Sequence, residues 1–166
     1  MKTLVIVRHA KSAWDNPHLT DRDRVLNERG MRDAPRMAAY VADTVVLPQI
    51  VLSSTAVRAW STAQEFIAAC GIDEAYVRRD ARIYDASLAT LLTVIGEIDN
   101  GIQSAMIVGH NPGVTELVRY VADATFAHMP TCGVAVIECA HAETWQEIAR
   151  GTGVLTHFLF PKGIGE

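Results

Sequence analysis

Residues 3–12 read TLVIVRHAKS. Thr3 to Val7 predict a β-strand, since four of the five residues are β-branched, and the lack of polar alternation marks a strand covered on both faces. It runs straight into Arg8 and His9, with Lys11 close behind. A strand made for the interior that ends in groups wanting charge or a polar partner either surfaces there or meets something anionic.

Two further stretches share the pattern. QIVLSS predicts a strand over about 49–53, and SAMIVGH one over about 105–109. Helical periodicity lies between them. Leu88, Leu91, Leu92, Ile95 and Ile98 form one apolar stripe, and Val114, Leu117, Val118 and Val121 form another. Val57 to Ala69 predicts a helix that ends near Gly71. NERGMRDAPRMAAYVAD predicts a helix capped by Asn27, with Pro35 either kinking it or starting a second piece. After Cys132, GVAVIECA and VLTHFLF read as strands, with TWQEIAR as a further one between them. Strands alternating with helices imply an α/β fold, a three-layer α/β/α sandwich around a mostly parallel sheet with at most one antiparallel member. The 166 residues fit a single domain spanning 1–166.

Composition narrows the possible partners. A formal charge of −4 gives no overall attraction to nucleic acid or to an anionic membrane. No apolar stretch approaches the ~18 residues of a membrane span, and the run before Arg8 is too short for a secretory signal. Cys70, Cys132 and Cys139 are odd in number and lack CxxC spacing, which fits reduced thiols in a cytoplasmic protein.

In open α/β sheets ligands gather where strands end and helices begin. The first strand delivers Arg8 and His9 there. The second delivers Ser53, Ser54 and Thr55, of which Ser54 or Thr55 is expected to cap a helix carrying Arg58 in its first turn. The third delivers His110, then Asn111 as expected N-cap and Pro112 as first helical residue. No carboxylate sits within these motifs. Any one of the four basic residues alone would be unremarkable, but four at one sheet edge exceed what a solvated face requires. Arginine presents a charged planar fork to phosphate oxygens, and a neutral imidazole is a nucleophile toward phosphorus. The chemistry implied is attack by one histidine on a phosphoryl group held by the other three residues, followed by hydrolysis of the phosphohistidine.

VRHAKS at 7–12, LSSTAVRAWSTA at 52–63 and VGHNPGV at 108–114 resemble the histidine phosphatase superfamily, whose fold is phosphoglycerate-mutase-like. LNERG at 26–30 is similar to the segment that opens the first helix there. The resemblance implies that His9 is the phosphorylated nucleophile, that Arg8 and Arg58 bind the phosphate, and that His110 stabilises the transferring group. It calls for no cofactor and no metal. Position 10 is Ala where Gly is the commonest residue of the family, a form that resembles the SixA-like branch. That branch implies a phosphohistidine domain of a protein as substrate, with a small phosphomonoester as the alternative. The segment from Ala69 to Leu88 is too short for the insertion of mutase members; its Asp85 is a candidate general acid but more simply a cap or turn residue.

Other readings compete. His128, Cys132, Cys139 and His141 are possible zinc ligands, but their spacing matches no paired-ligand pattern. DNPHLTDRDR places His18 among Asp15, Asp21 and Asp23, reading first as a polar loop; Arg22 and Arg24 are candidates to border the pocket, as are Lys11 and Ser12. A non-catalytic phosphoprotein-binding module of the same fold is the third alternative, and retention of all four basic residues argues against it.

Overall fold

The computed structural model describes residues 1–164. Six strands form one sheet: β1 (Lys2–Arg8), β2 (Ile50–Ser53), β3 (Val77–Arg79), β4 (Ser104–Gly109), β5 (Val134–Cys139) and β6 (Val154–Leu159). Their order is β3-β2-β4-β1-β5-β6. The first four run parallel, and β5 pairs antiparallel with both β1 and β6. Helices α1 (Glu28–Thr44) and α2 (Val57–Cys70) cover one face, while α3 (Leu88–Gly96) and α4 (Gly113–Ala122) cover the other.

The strand residues sort by alternation. Val5, Val7, Met106 and Val108 pack with Met37, Val41 and Phe66 beneath α1 and α2. Leu4, Ile6, Ala105 and Ile107 pack with Leu91, Ile95 and Leu117 on the opposite face. The continuous apolar run at 4–7 is thus what a strand between two helical layers requires. The far end of β1 is pinned by Lys2, whose buried ammonium donates to the carbonyls of Asn100 (2.6 Å) and Ile102 (2.7 Å).

Three expectations need correction. TWQEIAR is not a strand: Trp145–Glu147 is a 3-10 turn. Trp145 is buried with its indole N–H on the Ile102 carbonyl, and Glu147 accepts from the backbone of Glu143 and Thr144, so local capping overrides aromatic strand propensity. The three-residue β3 was not legible, because its sequence VRR at the sheet edge carries no apolar pattern. Pro35 does not start a second piece; it is exposed within one continuous helix.

Asn27 caps α1 as expected, accepting from the Gly30 backbone N–H at 2.9 Å. Its own N–H donates to the Lys11 carbonyl, so LNERG is tied to the segment that follows His9. A Cβ on Gly30 would overlap that same Lys11 oxygen. Ala is the better helix former by ~1 kcal/mol, yet the overlap wins because backbone meets it. Gly30→Ala is expected to destabilise the fold by about 1–3 kcal/mol, read as a lower urea midpoint. A variant at least as stable as the parent would show that the contact does not constrain this segment.

Candidate active site

The end of β1 is held from four sides. Arg8 N–H donates to the Gly133 carbonyl (3.0 Å) and His9 N–H to that of Gly109 (3.1 Å). The His9 carbonyl accepts from Cys132, and Ala10 N–H donates to the Thr62 hydroxyl at 3.0 Å. Thr62 in turn donates to the Arg58 carbonyl at 2.8 Å, one turn back along α2. One hydroxyl therefore locks the strand end to the helix that carries Arg58.

The structure brings Arg8, His9, Arg58 and His110 together at this edge. The two imidazoles lie 5.0 Å apart between centroids. His9 Nδ1 is 2.7 Å from the Ala10 carbonyl. A carbonyl only accepts, so Nδ1 carries the proton and Nε2 keeps its lone pair. Burial, aided by the positive charges of Arg58 and Arg8, pushes the His9 pKa down to about 3. Burial and Arg58 likewise lower His110 to about 4. Both rings are neutral near pH 7. His110 Nε2 is 2.8 Å from Ser54 Oγ, which already accepts from the Ala56 N–H. The serine hydroxyl has no other acceptor among the described residues, so it donates to Nε2; His110 Nδ1, which has no partner among them, carries the ring proton.

Helix starts differ in detail from expectation. Neither Ser54 nor Thr55 occupies the cap of α2; Ala56 does, and Ser54 serves His110 instead. Asn111 does not cap α4 either. Pro112 holds that position after a cis Asn111-Pro112 bond, while Asn111 bridges the Met129 carbonyl (3.0 Å) and the Thr115 hydroxyl (2.7 Å). The side chain the sequence offered as a cap is spent on joining α4 to the 129–131 segment. Arg8 reaches the same Met129 carbonyl at 2.9 Å.

The charge balance was not foreseen. Asp21, from the DNPHLTDRDR segment, supplies the carboxylate that the motifs lack. Arg58 donates to its backbone oxygen (2.5 Å) and to Oδ2 (3.0 Å), and the Tyr84 hydroxyl donates to Oδ2 at 2.5 Å. Hydrogen bonding from Tyr84 and Arg58 holds the Asp21 carboxyl below its ordinary range. Tyr84 also meets the His110 ring edge-on at 5.5 Å. Arg24 is buried beside them, donating to Ser12 Oγ at 2.8 Å with its guanidinium over Trp14. Arg22 bonds Thr55 and lies over the Tyr84 ring. Asp21 and Tyr84 sit in irregular segments with no periodicity to betray them; the alternating charges of Asp21-Arg22-Asp23-Arg24 were the one available signal.

Other candidates fall elsewhere. Asp85 is exposed at a φ of 51° and makes no hydrogen bond among the described residues. His18 lies on the exposed loop, and Lys11 lines a separate cavity beyond Arg8. Cys132 and Cys139 are buried on opposite faces of the sheet, so the four candidate zinc ligands do not converge. Among the described residues, no group of three or more His, Cys, Asp or Glu could hold a metal ion.

Five buried nitrogens at this edge have no hydrogen-bond partner among the described residues: Arg8 Nε, Arg24 Nε (which is 3.3 Å from Asp21 Oδ1 in an ion pair) and an adjacent Arg24 nitrogen, Arg58 Nε, and His110 Nδ1. Buried donors left unpaired are costly. A tetrahedral oxyanion offers acceptors in several directions at once and carries the negative charge that three guanidiniums favour. Fold and site together define an enzyme of the phosphoryl-transfer class. The model of the histidine phosphatase superfamily (branch 1) matches residues 4–90. The chain belongs to that family and is a phosphatase, a hydrolase.

An uncharacterized protein of Mycobacterium tuberculosis is 32% identical over 166 residues, covering 94% of this chain and 100% of its own. A crystal structure from Agrobacterium tumefaciens, named provisionally as the phosphohistidine phosphatase SixA, is 32% identical with a TM-score of 0.78 and covers 96% and 98% of the two chains. A protein histidine phosphatase SixA complexed with tungstate shares the fold at a TM-score of 0.80, with 20% identity and 96% and 97% coverage.

The two depressed histidine pKa values make stability pH-dependent. An unfolded imidazole titrates near 6.5, so between that value and about 3 to 4 the unfolded chain binds more protons than the folded one. Stability from these groups is complete above pH 6.5 and falls as pH drops toward 4. The unfolding midpoint is expected to decline across this window, and a His9→Gln, His110→Gln double variant to flatten the decline. An equal slope in both proteins would show that the two rings are not held neutral.

Proposed function

We propose that the protein is a SixA-like phosphohistidine phosphatase that works through a phosphoenzyme at His9. The observation that carries the reading is the hydrogen bond between His9 Nδ1 and the Ala10 carbonyl, in a ring that burial keeps neutral. It leaves Nε2 unprotonated at the end of a strand whose backbone is fixed from four sides. Positioning of this kind, with preorganised charge, supplies most of the catalysis in phosphoryl transfer.

In the first step the Nε2 lone pair forms a bond to phosphorus as the bond to the leaving group breaks. The leaving atom keeps that electron pair and takes a proton. Arg8, Arg58 and His110 Nδ1–H bind the oxygens, where negative charge must be held throughout. Water then attacks phosphorus, the P–N electrons return to His9, and inorganic phosphate is released. Residues 8, 9, 58 and 110 are thus the catalytic set, with Ser54 and Thr62 as positioning residues.

Substrate class is read from the leaving group and from likeness. A substrate phosphohistidine leaves as an imidazole that is readily protonated, so it needs little help from an acid. Asp21 accepts hydrogen bonds from Arg58 and Tyr84 and stays ionised, which suits charge balance rather than proton donation. The likeness at 32% identity to a protein named for phosphohistidine hydrolysis points the same way. Three free, buried cysteines accord with a cytoplasmic setting. No helix of the described residues is long and apolar enough to cross a membrane.

A labelled phosphodonor is expected to yield an acid-labile, base-stable phosphoenzyme in the parent and none in His9→Ala. Absence of the phosphoenzyme, with no hydrolysis of p-nitrophenyl phosphate or of a phosphohistidine protein, would overturn the catalytic reading. Leaving-group dependence tests the missing acid. Alkyl phosphates are expected to react about 10²–10⁴-fold more slowly than p-nitrophenyl phosphate, the usual worth of a general acid. Comparable rates for the two would require a proton donor in the pocket.

A further inference from the structure

Arg8, but not Arg58, also lines an open cavity of about 860 Å³. It is far larger than one phosphoryl group needs. Its walls carry Arg8, Lys11, Arg29, Arg32, Arg36 and Lys162, against one carboxylate among the described residues, Asp33. Asp33 is buried and shared between Arg29 (3.7 Å) and Arg32 (3.8 Å), so it neutralises little of the array. The chain as a whole has a formal charge of −4, which makes this concentration of cations a local construction rather than an average.

The spacing indicates the shape of what it would hold. Arg29, Arg32 and Arg36 lie at i, i+3 and i+7 on α1, forming one stripe about 10 Å long. Lys162, in the Pro161–Gly163 turn, lines the same cavity, as do Arg8 and Lys11, which lie within two residues of His9 in the chain. A compact anion would satisfy one or two of these groups. A chain with carboxylates repeated along it would satisfy them all while leaving its phosphorylated residue at His9. Arg8 belongs to both places: it borders the two histidines and lines the cavity.

We propose that this cavity docks an acidic segment of the phosphoprotein substrate, adjacent to its phosphorylated histidine. The proposal rests on the phosphohistidine reading above for its place in catalysis, while the binding surface itself is defined by charge and shape. Selectivity for protein over small phosphoesters would then come from α1 and Lys162, outside the residues that handle phosphorus. Electrostatic complementarity of this kind mainly sets encounter rate and partner choice.

The test compares the parent with an Arg32→Gln, Arg36→Gln, Lys162→Gln variant; all three side chains lie outside the catalytic set. A fluorescein-labelled glutamate-rich peptide, followed by anisotropy at low salt, is expected to bind the parent and to bind the variant about ten-fold more weakly, as the loss of three exposed charge pairs implies. Binding should weaken as salt rises, and an Arg32→Lys, Arg36→Lys variant should restore it. Turnover of p-nitrophenyl phosphate should be unchanged in the variant, whereas KM for a phosphohistidine protein rises. Equal peptide binding by parent and variant, or none by the parent, overturns the docking surface. Variant-sensitive binding of inorganic tripolyphosphate without peptide binding would overturn it too, in favour of a small polyanion. If the peptide binds as expected but the parent does not hydrolyse a phosphohistidine protein, the docking surface stands and the phosphohistidine reading fails.

Discussion

Everything in the site takes its position from the backbone between Arg8 and Ala10, where a strand buried on both faces stops. Hydrogen bonds from β4, from the 132–133 turn before β5, and from Thr62 of α2 fix these three residues. Because Thr62 also holds the Arg58 carbonyl one turn back on the same helix, movement of α2 relative to β1 would break the Ala10–Thr62 bond and displace Arg58 with the helix. His110 enters through the neighbouring strand β4, whose register places Gly109 opposite Arg8. Pairing of two apolar strands therefore determines the distance between two imidazoles. For the proposed in-line attack by His9, the long apolar run of β1 is a condition, since a loop could not hold the ring within the tolerance such a step needs.

Electrostatics follows from that geometry. Burial disfavours the charged form of each imidazole, and the nearby guanidiniums disfavour it further. At about 5 Å and an effective dielectric constant near 20, two like charges cost roughly 3 kcal/mol, so a proton on either ring is opposed twice. In the proposed mechanism the arginines that hold the phosphoryl group thus also keep the His9 imidazole unprotonated. Asp21 moderates this field without abolishing it. Its side chain is half exposed and it engages Arg58, leaving the Arg8 guanidinium, among the described residues, with the Met129 carbonyl as its hydrogen-bond partner.

How much of this was legible in the sequence depended on burial and regularity. The runs at 4–7, 50–52 and 105–108 announced their strands because two-sided burial removes polar alternation. Knowing that strand ends gather ligands then sufficed to select Arg8, His9, Arg58 and His110. Asp21 and Tyr84 were hidden, because the segments around them follow no period and their roles arise only when two loops meet across the site. Asn111 and Ser54 were misassigned for a related reason. Each is a good cap by residue type, but tertiary partners, Met129 and Thr115 for one and His110 for the other, claimed the side chain first. Trp145 shows the converse, an aromatic residue read as strand that the core takes from a capped turn.

The distribution of charge links the site to its surroundings. Nine of the fifteen Lys and Arg residues line either the phosphate pocket or the cavity next to it. Only six remain for the rest of a chain that carries nineteen carboxylates. A protein with a modest negative charge therefore concentrates its cations around the site and the adjoining cavity. A local concentration of that kind favours approach of an anionic partner there. At physiological ionic strength the screening length is about 8 Å, comparable to the reach of the arginine stripe on α1. Steering of that range acts on the region of a partner that carries the phosphoryl group rather than on its overall charge. Net composition alone, which argued only against polyanion binding in general, conceals this local attraction.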